Sequence, residues 1–215
     1  MKHRSILVWD RHTRIFHWLL VLAFAVSIST GLSGDIDWMD WHVTSGYGLL
    51  GLLVFRFLSG IFASDYGQFS RLPLGPRSVC LYVKGQRHFT GHNPLGSWMI
   101  VVMLLALLVQ VASGLMTTDD IFVEGPWVIW APEEWVGWAG QVHEINYWLL
   151  LALVAVHVLA IGFYRVVKKQ SLIMPMITGS KIAAPDEEAA TRVSLGRLAL
   201  LIIVAVALTW LLVTI

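Results

Sequence analysis

Residues 143–164 read HEINYWLLLALVAVHVLAIGFY. An apolar run of about 20 residues is the length of helix that crosses a bilayer. This one carries a histidine at its start and a second at position 157. Ionisable groups inside a span are costly and therefore mark function. His143 and His157 are 14 residues apart, which places them within about 40° of one helix face and about 21 Å apart along the axis. One helix thus offers two imidazoles on one side at two depths.

Four more apolar runs of this kind occur, at residues 15–33, 43–63, 95–117 and 195–215. The first has no small-x-small cleavage site at its end and reads as a retained helix. Composition agrees with five spans: 57% of residues are hydrophobic and 13% charged, and the mean hydropathy is +0.69. That balance excludes an ordinary soluble enzyme, a disordered chain and a nucleic-acid binder. Cys80 is the one cysteine, so a disulfide scaffold, a cysteine-ligated zinc or iron–sulfur site and a CxxCH haem attachment are excluded. No GxGxxG or Walker pattern occurs, so no nucleotide site is indicated. The expected fold is an all-α membrane protein. A four-helix transmembrane bundle fills residues 1–170, a linker follows at 171–194, and a fifth C-terminal transmembrane helix occupies 195–215.

Charge sets the expected orientation. Lys2, Arg4, Arg11 and Arg14 precede the first span; Arg71, Arg77, Lys84 and Arg87 lie between the second and third. Arg165, Lys168, Lys169, Lys181, Arg192 and Arg197 lie between the fourth and fifth. If the spans alternate, all of these share one side. The other side carries Asp35, Asp37, Asp40, Asp119, Asp120, Glu124, Glu133, Glu134 and Glu144, and no lysine or arginine. The positive-inside rule then puts the N-terminus in the cytoplasm and the C-terminus outside. Trp38, Trp41, Trp127, Trp130, Trp135 and Trp138 fall in the outer loops and read as an interfacial belt.

Eight histidines punctuate the chain. His3, His12, His88 and His92 fall in cytoplasmic segments and read as solvated. His88 and His92 have the i, i+4 spacing of a metal pair, but Thr90, Gly91 and Pro94 argue against a helix there. The other four lie in spans. With alternating helices, His17 and His157 share the inner depth, and His42 and His143 share the outer depth. Imidazoles facing each other at one depth can fill both axial positions of a haem iron, so two such pairs predict two b-type haems, with His17, His42, His143 and His157 as iron ligands.

Supporting positions follow the same spacing. Gly31 lies 14 residues after His17, and Gly46 lies one turn after His42. Glycine lets a macrocycle approach a helix backbone. Arg56, 14 residues after His42 and the one basic residue inside a span, either pairs with a haem propionate or snorkels to the headgroups. Ser113 and Gly114 make room for a cofactor or simply for helix packing.

These stretches resemble the bacterial cytochrome b561 family, which includes the b-type cytochrome subunits of membrane-bound nickel–iron hydrogenases. The resemblance rests on WDRHTRIFHW at residues 9–18 and HVTSGY at 42–47 with Arg56 and Gly60. It continues through GHNPLG at 91–96, Ser113-Gly114, and His143-Glu144 with His157. It covers about residues 8–165 and leaves the fifth span as an addition. It implies a four-helix bundle with two b haems whose ligand positions match His17, His42, His143 and His157. It also implies electron transfer between the membrane quinone pool and a partner, with Arg11, His12, Arg14 and Arg56 as candidates to border the quinone. The acidic outer face favours a basic partner, a periplasmic c-type or multihaem cytochrome. Two other activities are implied: anchoring a hydrogenase, and oxidising superoxide with quinone as acceptor. The second needs a positive funnel for an anion, which nine outer acids oppose.

Overall fold

The computed structural model describes residues 4–62, 65–87, 89–182 and 188–214. Lys2, His3, His88, Pro185, Asp186 and Glu187 lie outside the described residues. Among the described residues, five helices are long and apolar enough to cross a membrane. They are α1 (Arg11–Gly31), α2 (Met39–Phe62), α4 (Pro94–Gly114), α5 (Glu133–Val166) and α7 (Leu195–Thr214). A short α3 (Pro76–Val83) precedes α4, and α6 (Ile173–Thr178) follows α5.

Local chemistry sets the boundaries. Asn93 caps α4, its side chain accepting the Gly96 N–H at 2.7 Å, and Pro94 opens the first turn. Its missing N–H costs nothing there. The fourth span begins ten residues earlier than the apolar run predicts. Pro132 stands at the N-cap of α5, and Glu133 and Glu134 fill its first turn, where carboxylates complement the helix dipole. Trp135 and Trp138 are therefore helical rather than loop residues. At 34 residues the helix is about 51 Å long, well beyond the ~30 Å hydrocarbon core. The first helix likewise starts four residues before its apolar run, taking in Arg11 to Arg14.

α2 is the hub. It packs against α1, α4 and α7, while α4 packs against α5. Leu49, Leu50 and Leu53 of α2 meet Leu104, Leu107 and Val111 of α4 and Leu150 of α5 in the main core. α1 and α5 share no extended packing among the described residues, so the α1–α2 and α4–α5 pairs are joined along one side only. α7 buries Leu201 and Ala205 and brings Thr209 against Gly51, the close approach that small residues allow between membrane helices. The Trp127 indole N–H donates to the Leu212 carbonyl at 2.7 Å, fixing the end of α7 beside the α4–α5 connection. Outward faces stay apolar: Leu159 is 71% and Ile203 65% exposed, as lipid contact requires.

The acids named above gather where α1 and α4 end and α2 and α5 begin, hereafter the acidic end. At the basic end, the segment after α5 is folded onto the N-terminus. β1 (Ser5–Leu7) pairs antiparallel with β2 (Ser180–Ile182). The Val8 and Trp9 N–H groups donate to the Gly179 carbonyl. Gly179 is left-handed at φ 87°, and a Cβ there would stand 2.9 Å from the Trp9 carbonyl, so the turn requires glycine. Ile6, Val8 and Trp9 are buried against Tyr66 and Met176. The Val193 N–H donates to Asp10 at 3.1 Å, and the Tyr66 hydroxyl to the Glu188 carbonyl.

Candidate functional site

At the acidic end, His42 in the first turn of α2 and His143 in α5 face each other. Their ring centroids are 6.1 Å apart and their planes nearly perpendicular, at 86°. The His42 Nδ1–H donates to the Ser27 carbonyl at 2.8 Å, and the His143 Nδ1–H to the Gln110 carbonyl at 2.9 Å. A carbonyl only accepts, so each Nδ1 carries the proton and each Nε2 keeps its lone pair. That is the arrangement which fixes tautomer and ring direction in a metal-ligating histidine.

The support behind His143 is polar and buried. The Gln110 amide donates to the His143 carbonyl at 3.0 Å. The Asn146 amide donates to Gln110 Oε1 at 2.8 Å and to the Ala106 carbonyl at 2.9 Å. Sequence reasoning passed over Gln110 and Asn146, though each is a lone amide in an apolar span. Gly31 and Gly114 make the backbone approach to the rings. A Cβ on Gly31 would lie 2.8 Å from His42 Nδ1 and Cε1, and one on Gly114 2.9 Å from His143 Cε1. Gly46 looks onto open space. Asp119, in the α4–α5 connection, accepts the backbone N–H groups of Ile121, Phe122 and Val123. Those bonds hold its carboxyl below the usual range, so this end keeps its negative charge.

Toward the basic end, His17 of α1 and His157 of α5 lie within electrostatic reach of each other. His17 Nδ1 is buried with no hydrogen-bond partner, and its ring meets Trp18 edge-on at 5.1 Å. Arg56 is only 8% exposed, so it does not snorkel. Its guanidinium donates to the Gly67 carbonyl at 3.0 Å and sits 4.5 Å over the Phe69 ring. Among the described residues no carboxylate pairs with it. A buried cation without an anion is costly.

Two histidines read as solvated are packed. His12 is 8% exposed, 3.6 Å from Asp10 and edge-on to Phe55. His92 stacks on Trp9 at 4.4 Å; burial, with the Arg56 charge second, pushes its pKa down to about 4. Trp9 and Asp10 of the folded N-terminal segment lie against His92 and His12 respectively. Arg14 donates to the Ile177 carbonyl and Arg11 is exposed. Arg11, His12 and Arg14 therefore point into different surroundings rather than around one cavity.

Five helices long and apolar enough to cross a membrane, with the His42 and His143 rings facing each other, fit a multi-pass membrane protein of the cytochrome b class. A model of the prokaryotic cytochrome b561 family matches residues 8–179, and the chain belongs to that family. A curated relative, the "Probable Ni/Fe-hydrogenase B-type cytochrome subunit" of Azotobacter chroococcum mcd 1, is 23% identical over 226 aligned residues. The alignment covers 86% of this chain and 92% of the relative. The chain is thus a membrane b-type cytochrome of electron transfer.

The residues present fit haem. Bonds of about 2 Å from one metal to both Nε2 atoms set two imidazole centres about 6 Å apart, the spacing of His42 and His143. Toward the basic end, His17, His157 and the buried Arg56, which has no carboxylate partner among the described residues, are the polar groups that would be available to a macrocycle and its propionate.

Proposed function

We propose that the chain is a di-haem conduit carrying electrons between membrane quinone and a redox partner at the acidic end. The observation that carries this reading is the His42–His143 pair, with both Nδ1 atoms tied to backbone carbonyls. His42 and His143 hold one haem b; His17 and His157 hold the second. The haems, when bound, supply reversible one-electron chemistry with both axial positions closed. The protein supplies the rest. Gly31 and Gly114 let the rings stand against their backbones, Gly46 leaves a face open, and Arg56 offers a buried cation to a propionate. Residues 1–170 form the haem core. Residues 171–194 link it to a fifth helix, 195–215, which braces α2. Arg11, His12 and Arg14 border the basic end, where quinone is exchanged.

The basic end faces the cytoplasm and both the acidic end and the C-terminus face the periplasm. The partner is a periplasmic c-type or multihaem cytochrome. Nine acids at one end set up a long-range field that speeds encounter with a basic surface and is screened by salt. The relative's name favours a second reading, in which this end docks a hydrogenase.

A pyridine haemochrome spectrum with protein quantitation tests the haem reading: two b haems per chain are expected, and a single haem removes one of the two pairs. Stopped-flow exchange with a basic c-type cytochrome tests the partner. The rate falls at least tenfold between low and physiological salt. A flat salt profile, or copurification with a hydrogenase in high salt, overturns the cytochrome reading.

A further inference from the structure

The basic end contains a cavity of about 210 Å³ that the haem reading leaves unused. It lies between the stretch after α2 and the stretch before α4. Tyr66, Arg71, Arg87, Thr90 and His92 line it. Arg71 and Arg87 are exposed, and among the described residues neither forms an ion pair. Arg87 also lies 5.1 Å over the Phe89 ring, which steadies its guanidinium. His92, held against Trp9, is neutral near pH 7 because burial pushes its pKa to about 4. The wall thus offers two cations and the Thr90 hydroxyl, while the neutral His92 ring and Tyr66 shape it.

We propose that this cavity binds the phosphate of an anionic membrane phospholipid. Three observations point to a lipid as the source. The cavity sits at the level where the spans end: Tyr66 follows α2 by four residues, and His92 precedes α4 by two. The loop beside it is tied to the membrane helix by the Trp98 indole, which donates to the Leu74 carbonyl at 3.1 Å. The volume is below the roughly 300–1,000 Å³ of pockets that enclose a whole small molecule. It suits a headgroup held at one end while the acyl chains remain in the bilayer. Paired arginines grip a phosphodiester with directed hydrogen bonds, beyond the diffuse attraction of any basic surface. Tyr66 also bonds the Glu188 carbonyl and packs on the N-terminal segment. An occupied cavity therefore stiffens the fold between α5 and α7.

The test uses the purified, delipidated holoprotein and its thermal unfolding. Phosphatidylglycerol should raise the midpoint by about 5 °C over phosphatidylcholine. The double variant Arg71→Gln/Arg87→Gln should lose that shift. Arg77→Gln/Lys84→Gln, in the neighbouring α3 and at its C-cap but outside the cavity, should keep it. Native mass spectrometry reads the same contrast as bound phosphatidylglycerol, with at least a tenfold lower occupancy in the first variant. If the first double variant fails to fold, Arg87→Gln alone carries the comparison. Equal loss in both doubles, or no lipid shift in the wild type, overturns the site in favour of diffuse surface charge. Stabilisation by millimolar inorganic phosphate matching that by lipid overturns the lipid source.

Discussion

Alanine at His42 or His143 leaves one b haem per chain, and so does alanine at His17 or His157, but the haem that remains differs. Bis-histidine ligation needs both imidazoles, so loss of either partner opens an axial position and weakens retention of that haem alone. A redox titration of the four variants should therefore sort into two classes. His42→Ala and His143→Ala share one surviving midpoint potential; His17→Ala and His157→Ala share the other. A double variant drawn from both classes, His17→Ala with His143→Ala, binds none. His92→Ala is the control: that ring stacks on Trp9 outside both pairs, and both haems persist. The pairing fails if His42→Ala and His157→Ala retain the same haem, because that would place those two histidines on one iron. Added imidazole should restore the second haem in a His→Ala variant, which a merely misfolded chain would not show.

The spans and the histidine depths were readable in the sequence because both depend on local periodicity. Twenty apolar residues make a span whatever surrounds them, and 14 residues return to nearly the same face of any α-helix. What the sequence hid depended on contacts between distant segments. His12 and His92 look solvated because nothing beside them is apolar enough to cover them. Trp9 lies against His92, and Asp10 and Phe55 against His12; the segment carrying Trp9 and Asp10 follows the strand Ser5–Leu7, held by Ser180–Ile182 some 175 residues further on. The early start of α5 was hidden for another reason. Gly137, Gly140 and three charged or polar residues dilute the apolar signal, while Pro132 followed by two glutamates is a helix-start pattern that stood in plain view. Gln110 and Asn146 were equally visible as amides within apolar spans. Their pairing, which braces the His143 backbone, needed the packing of α4 on α5 to become apparent. Arg56 lay between two readings, and only burial beneath the Phe69 ring decided against the snorkelling one.

Gly31→Ala and Gly114→Ala separate haem ligation from simple packing by the sign of their effect. Each glycine is the last residue of its helix, and alanine there is neutral to mildly favourable for the helix itself. The atoms nearest the added Cβ belong to the neighbouring imidazole, at 2.8 Å for His42 and 2.9 Å for His143. An unligated ring swings a few tenths of an ångström aside at little expense. A ring pinned at Nδ1 by a carbonyl and at Nε2 by iron cannot move without lengthening one bond or leaving its rotamer, at a cost of about 0.5–1.5 kcal/mol. For a one-electron couple, 59 mV corresponds to a tenfold change in equilibrium. A distortion of that size, felt differently by the two oxidation states, thus moves one midpoint potential by tens of millivolts. The other potential stays fixed, because His17 and His157 touch neither glycine. Valine at either position should lower occupancy of the acidic-end haem as well. Gly48→Ala and Gly137→Ala, where a Cβ meets open space, leave both potentials unchanged. Unmoved potentials in Gly31→Ala and Gly114→Ala, with two haems retained, would mean that His42 and His143 are free to yield and so do not share an iron.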